Sequence, residues 1–135
     1  MKNDVLVDTN VFIYAYDRSS PYHERCRKFL EDTSLNLFTT TKNISECIAV
    51  MTKLNYPGRD IQQLYTDIDQ NLVTLFPSGE SLKIFYRLFE NYKPKGNRIF
   101  DLEVASIMIA FGITDIATIN ESDFVYIKEI KIFSF

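Results

Sequence analysis

Four polar spots in this 135-residue chain stand where a fold can do chemistry: Asp8, Glu46, Asp101, and Asn120 with Asp123. Asp8 closes the apolar run Val5-Leu6-Val7 and is followed at once by Thr9-Asn10 and a second apolar run. Continuous apolar runs read as buried parallel strands, and open α/β sheets bind their ligands at the carboxyl ends of the strands. Asp8 therefore holds a chemical position, although the same place suits a plain helix N-cap. Glu46 falls in the first turns of a helix that follows a strand, where an exposed glutamate is the ordinary alternative. Asp101 lies inside the first turn of a nearly all-apolar segment, where an acid is costly unless paired or metal-bound. A favourable place on the helix dipole is its bland alternative. Carboxylates gathered at one rim repel each other, and a hard divalent cation resolves that conflict. Oxygen-only donors favour Mg²⁺ or Mn²⁺. Such an ion activates water and neutralises charge on a phosphodiester, so the chemistry implied is metal-dependent phosphodiester hydrolysis.

The elements that must position these groups can be read from periodicity. A strand ends at Asp8, and residues 11–16 continue as a short helical turn. Ser20-Pro21 opens a helix, with serine as cap and proline in the first turn. Its core stripe is Tyr22, Cys26, Phe29 and Leu30, with Arg25, Arg27 and Lys28 on a solvated side and His23 at the surface. A strand at 36–40 leads into a helix at 42–54, with Ile44, Cys47, Ile48, Met51 and Leu54 along one side. Glu46 points away from that stripe at ~100° per residue. After Pro57-Gly58 come a helix at 59–71 facing inward through Ile61, Leu64, Tyr65 and Ile68, then a strand at 72–76. A helix at 80–92 uses Leu82, Phe85, Leu88 and Phe89, and the basic, turn-rich loop 93–98 follows it. The segment 99–111 is a buried central helix stopped by Gly112. A strand at 113–119, the cluster Asn120-Glu121-Ser122-Asp123, a connector at 124–128 and an alternating edge strand at 130–135 complete the chain. Strands alternating with helices imply a parallel sheet covered on both faces, and in such a fold the four polar spots meet on one rim.

Bulk properties narrow the classes. A hydrophobic content of 46%, with 11 Phe and 8 Tyr, suits one globular domain over residues 1–135. No apolar run approaches the ~18–20 residues of a membrane span, and the start Met1-Lys2-Asn3-Asp4 lacks a signal peptide's basic beginning. The two cysteines, Cys26 and Cys47, have no metal-ligand spacing and read as reduced core residues of a cytoplasmic protein. The net charge of −3 argues against a general nucleic-acid binder, but not against an acidic pocket that reaches phosphates through a metal. A single histidine, His23, argues against a histidine dyad or zinc site.

Asp8-Thr9-Asn10, the pair Ser45-Glu46, the helix start Phe100-Asp101-Leu102 with Ala105, and Thr118-Ile119-Asn120-Glu121-Ser122-Asp123-Phe124 together resemble PIN-domain ribonucleases. The order and approximate spacing match across essentially the whole chain, and the small size is most similar to the VapC toxins of toxin–antitoxin pairs. The resemblance implies a Rossmann-like three-layer α/β/α sandwich with a central, mostly parallel sheet. It further implies a Mg²⁺- or Mn²⁺-dependent endoribonuclease, a homodimer and inhibition by an antitoxin. On the same resemblance Asp8, Glu46 and Asp101 match the metal-binding acids. Thr9 and Thr118 match small hydroxyl positions that shape the pocket, supported by Asn10 and Asn120. The fourth acidic position differs: where many members carry Asp, this chain has Asn120, which brings no charge. Asp123 is then the candidate to serve in its place, and one or two metals stay open.

The mechanism so implied has Asp8 and Asp101 holding the metal, while Glu46 is a further ligand or orients water as a general base. Lys42, Lys95 and Arg98 flank the acids in sequence and are candidates to meet RNA phosphates, with plain solubilising charge the alternative. A receiver domain would need an adjacent acidic pair and a lysine after the last strand, and a haloacid-dehalogenase phosphatase would need Asp where Asn10 stands. A non-catalytic PIN-like module and a housekeeping RNA-processing nuclease without an antitoxin are the remaining alternatives.

Overall fold

Val5, Leu6 and Val7 are all fully buried, yet they serve two separate cores. Val5 and Val7 join one cluster and Leu6 the other, as the two-residue period of a strand demands. The computed structural model describes residues 2–135. In it β1 (Asn3–Val7) is the central strand of five, with β2 (Leu35–Thr40), β3 (Val73–Leu75), β4 (Asp115–Ala117) and β5 (Lys131–Ile132) in the order β3-β2-β1-β4-β5. Every pairing is parallel: Val5 stands beside Leu37 on one side and Asp115 on the other.

Helices cover both faces. The core of Val5 and Val7 takes side chains from α1 (Thr9–Tyr16), α2 (His23–Leu30), α3 (Thr41–Lys53) and α4 (Gly58–Asn71), notably Phe12, Phe29, Met51 and Leu64. The core of Leu6 takes Ile84 and Leu88 from α5 (Gly79–Tyr92) and Leu102, Ile107 and Met108 from α6 (Arg98–Ala110). This is the expected three-layer sandwich. The helix starts are set by side chains: the Thr40 hydroxyl accepts from the Asn43 N–H at the head of α3, and Ser78 and Ser81 cap α5 reciprocally. Gly112, at φ 76°, takes the left-handed conformation that closes α6.

Several boundaries differ from the sequence reading. α2 begins at His23, not at Pro21, because the Ser20 hydroxyl accepts from the Tyr22 N–H and keeps 20–22 in a turn. His23 is half-buried, with Nδ1 3.0 Å from the Tyr14 carbonyl oxygen, and is not a surface residue. Leu54, Tyr65 and Leu82 are each more than half exposed, since the periodic stripes of their helices outrun the layer that covers them. The last two strands pair over three and two residues only, limited by the short edge they share. Phe133 and Phe135 pack instead against Phe29, and Arg25 Nε donates to the Phe135 carbonyl. Arg27 lies between Glu24 and Glu31 at the surface. Cys26 and Cys47 are buried and free. Among the described residues, no helix is long and apolar enough to cross a membrane.

Candidate active site at the carboxyl edge of the sheet

Asp8 leaves β1 at its carboxyl end, 7% exposed, and occupies the N-cap position of α1 without capping it. Its carboxylate is turned into the protein instead. Oδ2 accepts from the Thr118 hydroxyl at 2.8 Å and from Asn10 Nδ2 at 3.2 Å, while Oδ1 accepts from Asn43 Nδ2 at 3.2 Å. Each donor is itself held. Asn10 Oδ1 accepts from the Ile119 N–H, and Thr118 Oγ1 accepts from the Asn120 N–H. Asn43 Oδ1 accepts from the Thr40 hydroxyl at 2.6 Å. Parallel pairing of β1 with β2 and β4 delivers Asn43 and Thr118 to this carboxylate, and the chain itself supplies Asn10 two residues on.

The network continues to the second acid. Asn43 Nδ2 also donates to Thr9 Oγ1, which donates in turn to Glu46 Oε2 at 3.2 Å. Asn43 is fully buried and was not among the residues singled out from the sequence. A signal existed: it lies four and eight residues before Cys47 and Met51, so it is a polar residue on a buried apolar stripe.

Across from this bed, Asp101 in the first turn of α6 and Asp123, in a single 3₁₀ turn at Glu121–Asp123, face the same open cavity of about 420 Å³. Glu46, Lys42, Asn97, Arg98 and Phe100 line it with them. Burial pushes the Asp8 carboxyl up to about 6, partly opposed by the Thr118 hydrogen bond and reinforced by the charges of Glu46 and Asp123. Burial, and then Asp123, Asp8 and Glu46, raise Asp101 to about 7 against the opposing pull of Arg98. The four acids thus crowd one another electrostatically. Asp101 stands in the first turn of α6, where the helix dipole favours its charged form against that crowding.

The flanking residues divide. Lys42 Nζ lies 3.6 Å from Glu103 and 4.1 Å from the centre of the Phe100 ring, bridging α3 to α6 at the cavity's mouth. Arg98 sits over the Tyr126 ring at 5.6 Å. Lys95 is exposed and does not line the cavity. Asn120 is exposed too; its backbone N–H steadies Thr118, while Asp123 is the residue of that cluster that reaches the cavity.

The PIN domain family model matches residues 5–129, a span that contains every one of these acids. The chain belongs to the PIN domain family. Among curated proteins no sequence match was found. Solved structures share the PIN fold at low identity. A chain of the VapBC2 complex of Rickettsia felis, bound to a DNA fragment from their promoter, aligns with a TM-score of 0.69 at 18% identity over 98% of each chain. A toxin–antitoxin complex from Klebsiella pneumoniae aligns with a TM-score of 0.69 at 18% identity over 96% of each. VapC20 of Mycobacterium tuberculosis, a Sarcin-Ricin loop cleaving toxin, aligns with a TM-score of 0.68 at 10% identity over 83% of this chain and 86% of that one.

Whether this PIN domain's donors suit a cation is a question of chemistry and charge. Among the described residues, no three Asp, Glu, His or Cys side chains stand close enough together to hold a metal ion. The four acids meet through their charges across the cavity. The set is nevertheless all oxygen, carries more negative charge than Lys42 and Arg98 offset, and includes two carboxyls whose ionisation is disfavoured as they stand. Those properties fit a hard divalent cation.

Proposed function

We propose that this protein is a Mg²⁺- or Mn²⁺-dependent endoribonuclease that hydrolyses RNA phosphodiester bonds. In this reading it acts as the toxin of a VapBC-like pair, in the cytoplasm, as a homodimer restrained by an antitoxin. The observation that carries the reading is the convergence of Glu46, Asp101 and Asp123 on one cavity, with Asp8 tied to Glu46 beneath it through Asn43 and Thr9. The fold likeness to chains of toxin–antitoxin complexes, and to a toxin that cleaves the Sarcin-Ricin loop, supports RNA as the substrate class and an antitoxin as partner.

Asp8, Asp101 and Glu46 would hold the cation, with Asp123 in the place left uncharged by Asn120. When bound, the ion supplies charge neutralisation at the scissile phosphate and a lowered pKa for the attacking water. Thr118, Asn10 and Asn43 keep Asp8 in one orientation, and Thr9 does the same for Glu46. Glu46 is then placed to ligate or to accept the proton of the attacking water. Lys42 and Arg98 at the cavity's rim meet the phosphates on either side. Retention of the whole hydrogen-bonded bed beneath Asp8 favours a working nuclease over a silent module, which has no use for so costly a buried carboxylate.

The test is cleavage of structured and unstructured RNA by wild type and Asp101→Asn, each with Mg²⁺, Mn²⁺ or EDTA. Cleavage should require the metal and fall at least ~100-fold in the variant. Equal cleavage by both proteins would refute the assignment of the site.

A further inference from the structure

Tyr126 carries the one buried side-chain oxygen among the described residues that has no hydrogen-bond partner. Its ring is fixed on two sides: the Tyr92 ring meets it edge-on at 5.5 Å, and the Arg98 guanidinium lies 5.6 Å from its centre. Leaving a buried hydroxyl unpaired costs ~1–3 kcal/mol, whereas the same ring without its oxygen would pack there at no such cost. The oxygen therefore calls for a partner that no described residue provides in this arrangement.

The surroundings narrow the partner down. The charged groups acting on the phenol are Asp101, Arg98 and Asp123, with Asp101 first among them; Tyr92 is the other titratable neighbour. A guanidinium can only donate, so the acceptors within this group are the two carboxylates. Asp101 accepts no hydrogen bond from any described residue, in contrast to Asp8 with its three donors. Carboxylates that ligate metals are generally steadied by an outer hydrogen bond. Asp8 has that support, and Asp101 lacks it.

We propose that Tyr126 is a positioning residue for the acid cavity: its hydroxyl is the donor that fixes the Asp101 carboxylate once that group engages the divalent cation. This rests on the nuclease reading above and extends it to a residue outside the acid set. The hydroxyl stays buried, so it touches neither substrate nor ion and acts through Asp101 alone.

The experiment is calorimetric titration of Mn²⁺ into wild type, Tyr126→Phe and Asp101→Asn, with the melting temperature of each cation-free protein measured alongside. Tyr126→Phe should melt at or above the wild-type temperature and bind Mn²⁺ ~10-fold more weakly. Unchanged affinity in Tyr126→Phe, with binding lost in Asp101→Asn, would overturn the role of Tyr126 and leave the cation site standing. A lowered melting temperature with unchanged affinity would make the hydroxyl purely structural and would also overturn it. Failure of wild type itself to bind Mn²⁺ would remove both this inference and the reading beneath it.

Discussion

The two halves of the acid cavity are built to different standards. Asp8 is buried in a bed of three side-chain donors drawn from α1, α3 and the chain just after β4. Asp101 and Asp123, opposite it, are half-exposed and hang from a helix start and a single 3₁₀ turn. The first half is part of the fold's interior, so its geometry is set before any ligand arrives. In the second half neither carboxylate accepts a hydrogen bond from a described side chain, and like charges do not define a position. In the proposed reading, a cation and a phosphate would dock against the fixed point that the first half provides.

Breaking the loose half should cost the most activity. Asp123→Asn is expected to lower metal-dependent RNA cleavage ~100-fold with little change in folding, while Asn120→Ala leaves the rate near wild type. Comparable losses in both would place the fourth ligand at Asn120. In the fixed half the penalty moves to stability. Asn43→Ala removes donors from Asp8 and Thr9 and leaves the Thr40 hydroxyl without its acceptor, so chemical denaturation should register a loss of ~1–3 kcal/mol.

Titration sharpens the same contrast. Asp101 is raised to about 7 in the folded protein from an ordinary value of 3.8. The folded state then holds the proton more tightly than the unfolded chain. Its contribution to stability is present below about pH 4 and is lost as pH rises through 7. Without added cation, Asp101→Asn should therefore melt close to wild type at pH 4 and above it at pH 8, with a gap that opens between the two. Saturating Mg²⁺ should raise the wild-type melting temperature at pH 8 and leave that of the variant nearly unmoved. A gap that closes with rising pH would contradict the assignment. The smallest effect belongs to the rim. Lys42→Ala and Arg98→Ala should each weaken RNA binding several-fold and flatten its salt dependence by ~0.7 in slope, and Lys95→Ala should leave both unchanged.

Much of this architecture was legible in the chain. Val5-Leu6-Val7-Asp8 announced a buried strand ending on a carboxylate, and 99–111 announced a helix buried nearly all round; both are found, with Phe100 and Phe111 the exposed exceptions. Periodicity places a residue on a face without saying how far the covering layer extends, and so Leu54, Tyr65 and Leu82 were read as core. Neighbourhood in sequence is equally blind at the site. Lys95 is six residues from Asp101 along the chain and outside the cavity, whereas Asn43, three residues from Glu46, holds Asp8 from across the sheet. A buried polar residue on an apolar stripe is the pattern that would have found Asn43. Nothing in the local sequence distinguishes Tyr126 from the chain's other tyrosines, since its meaning comes from an unpaired oxygen visible only after folding.

The position of β1 at the centre of the sheet has a consequence for how the protein is made. β1 needs partners on both edges, and the second of these, β4, ends at Ala117. Thr118, which holds Asp8, and Asp123, which completes the rim, come later still. Residues 2–100 by themselves supply neither β4 nor the acid pair Asp101 and Asp123. Asp8 and the Thr118 that holds it stand 110 residues apart in the chain, so the acid site cannot form before the sheet does.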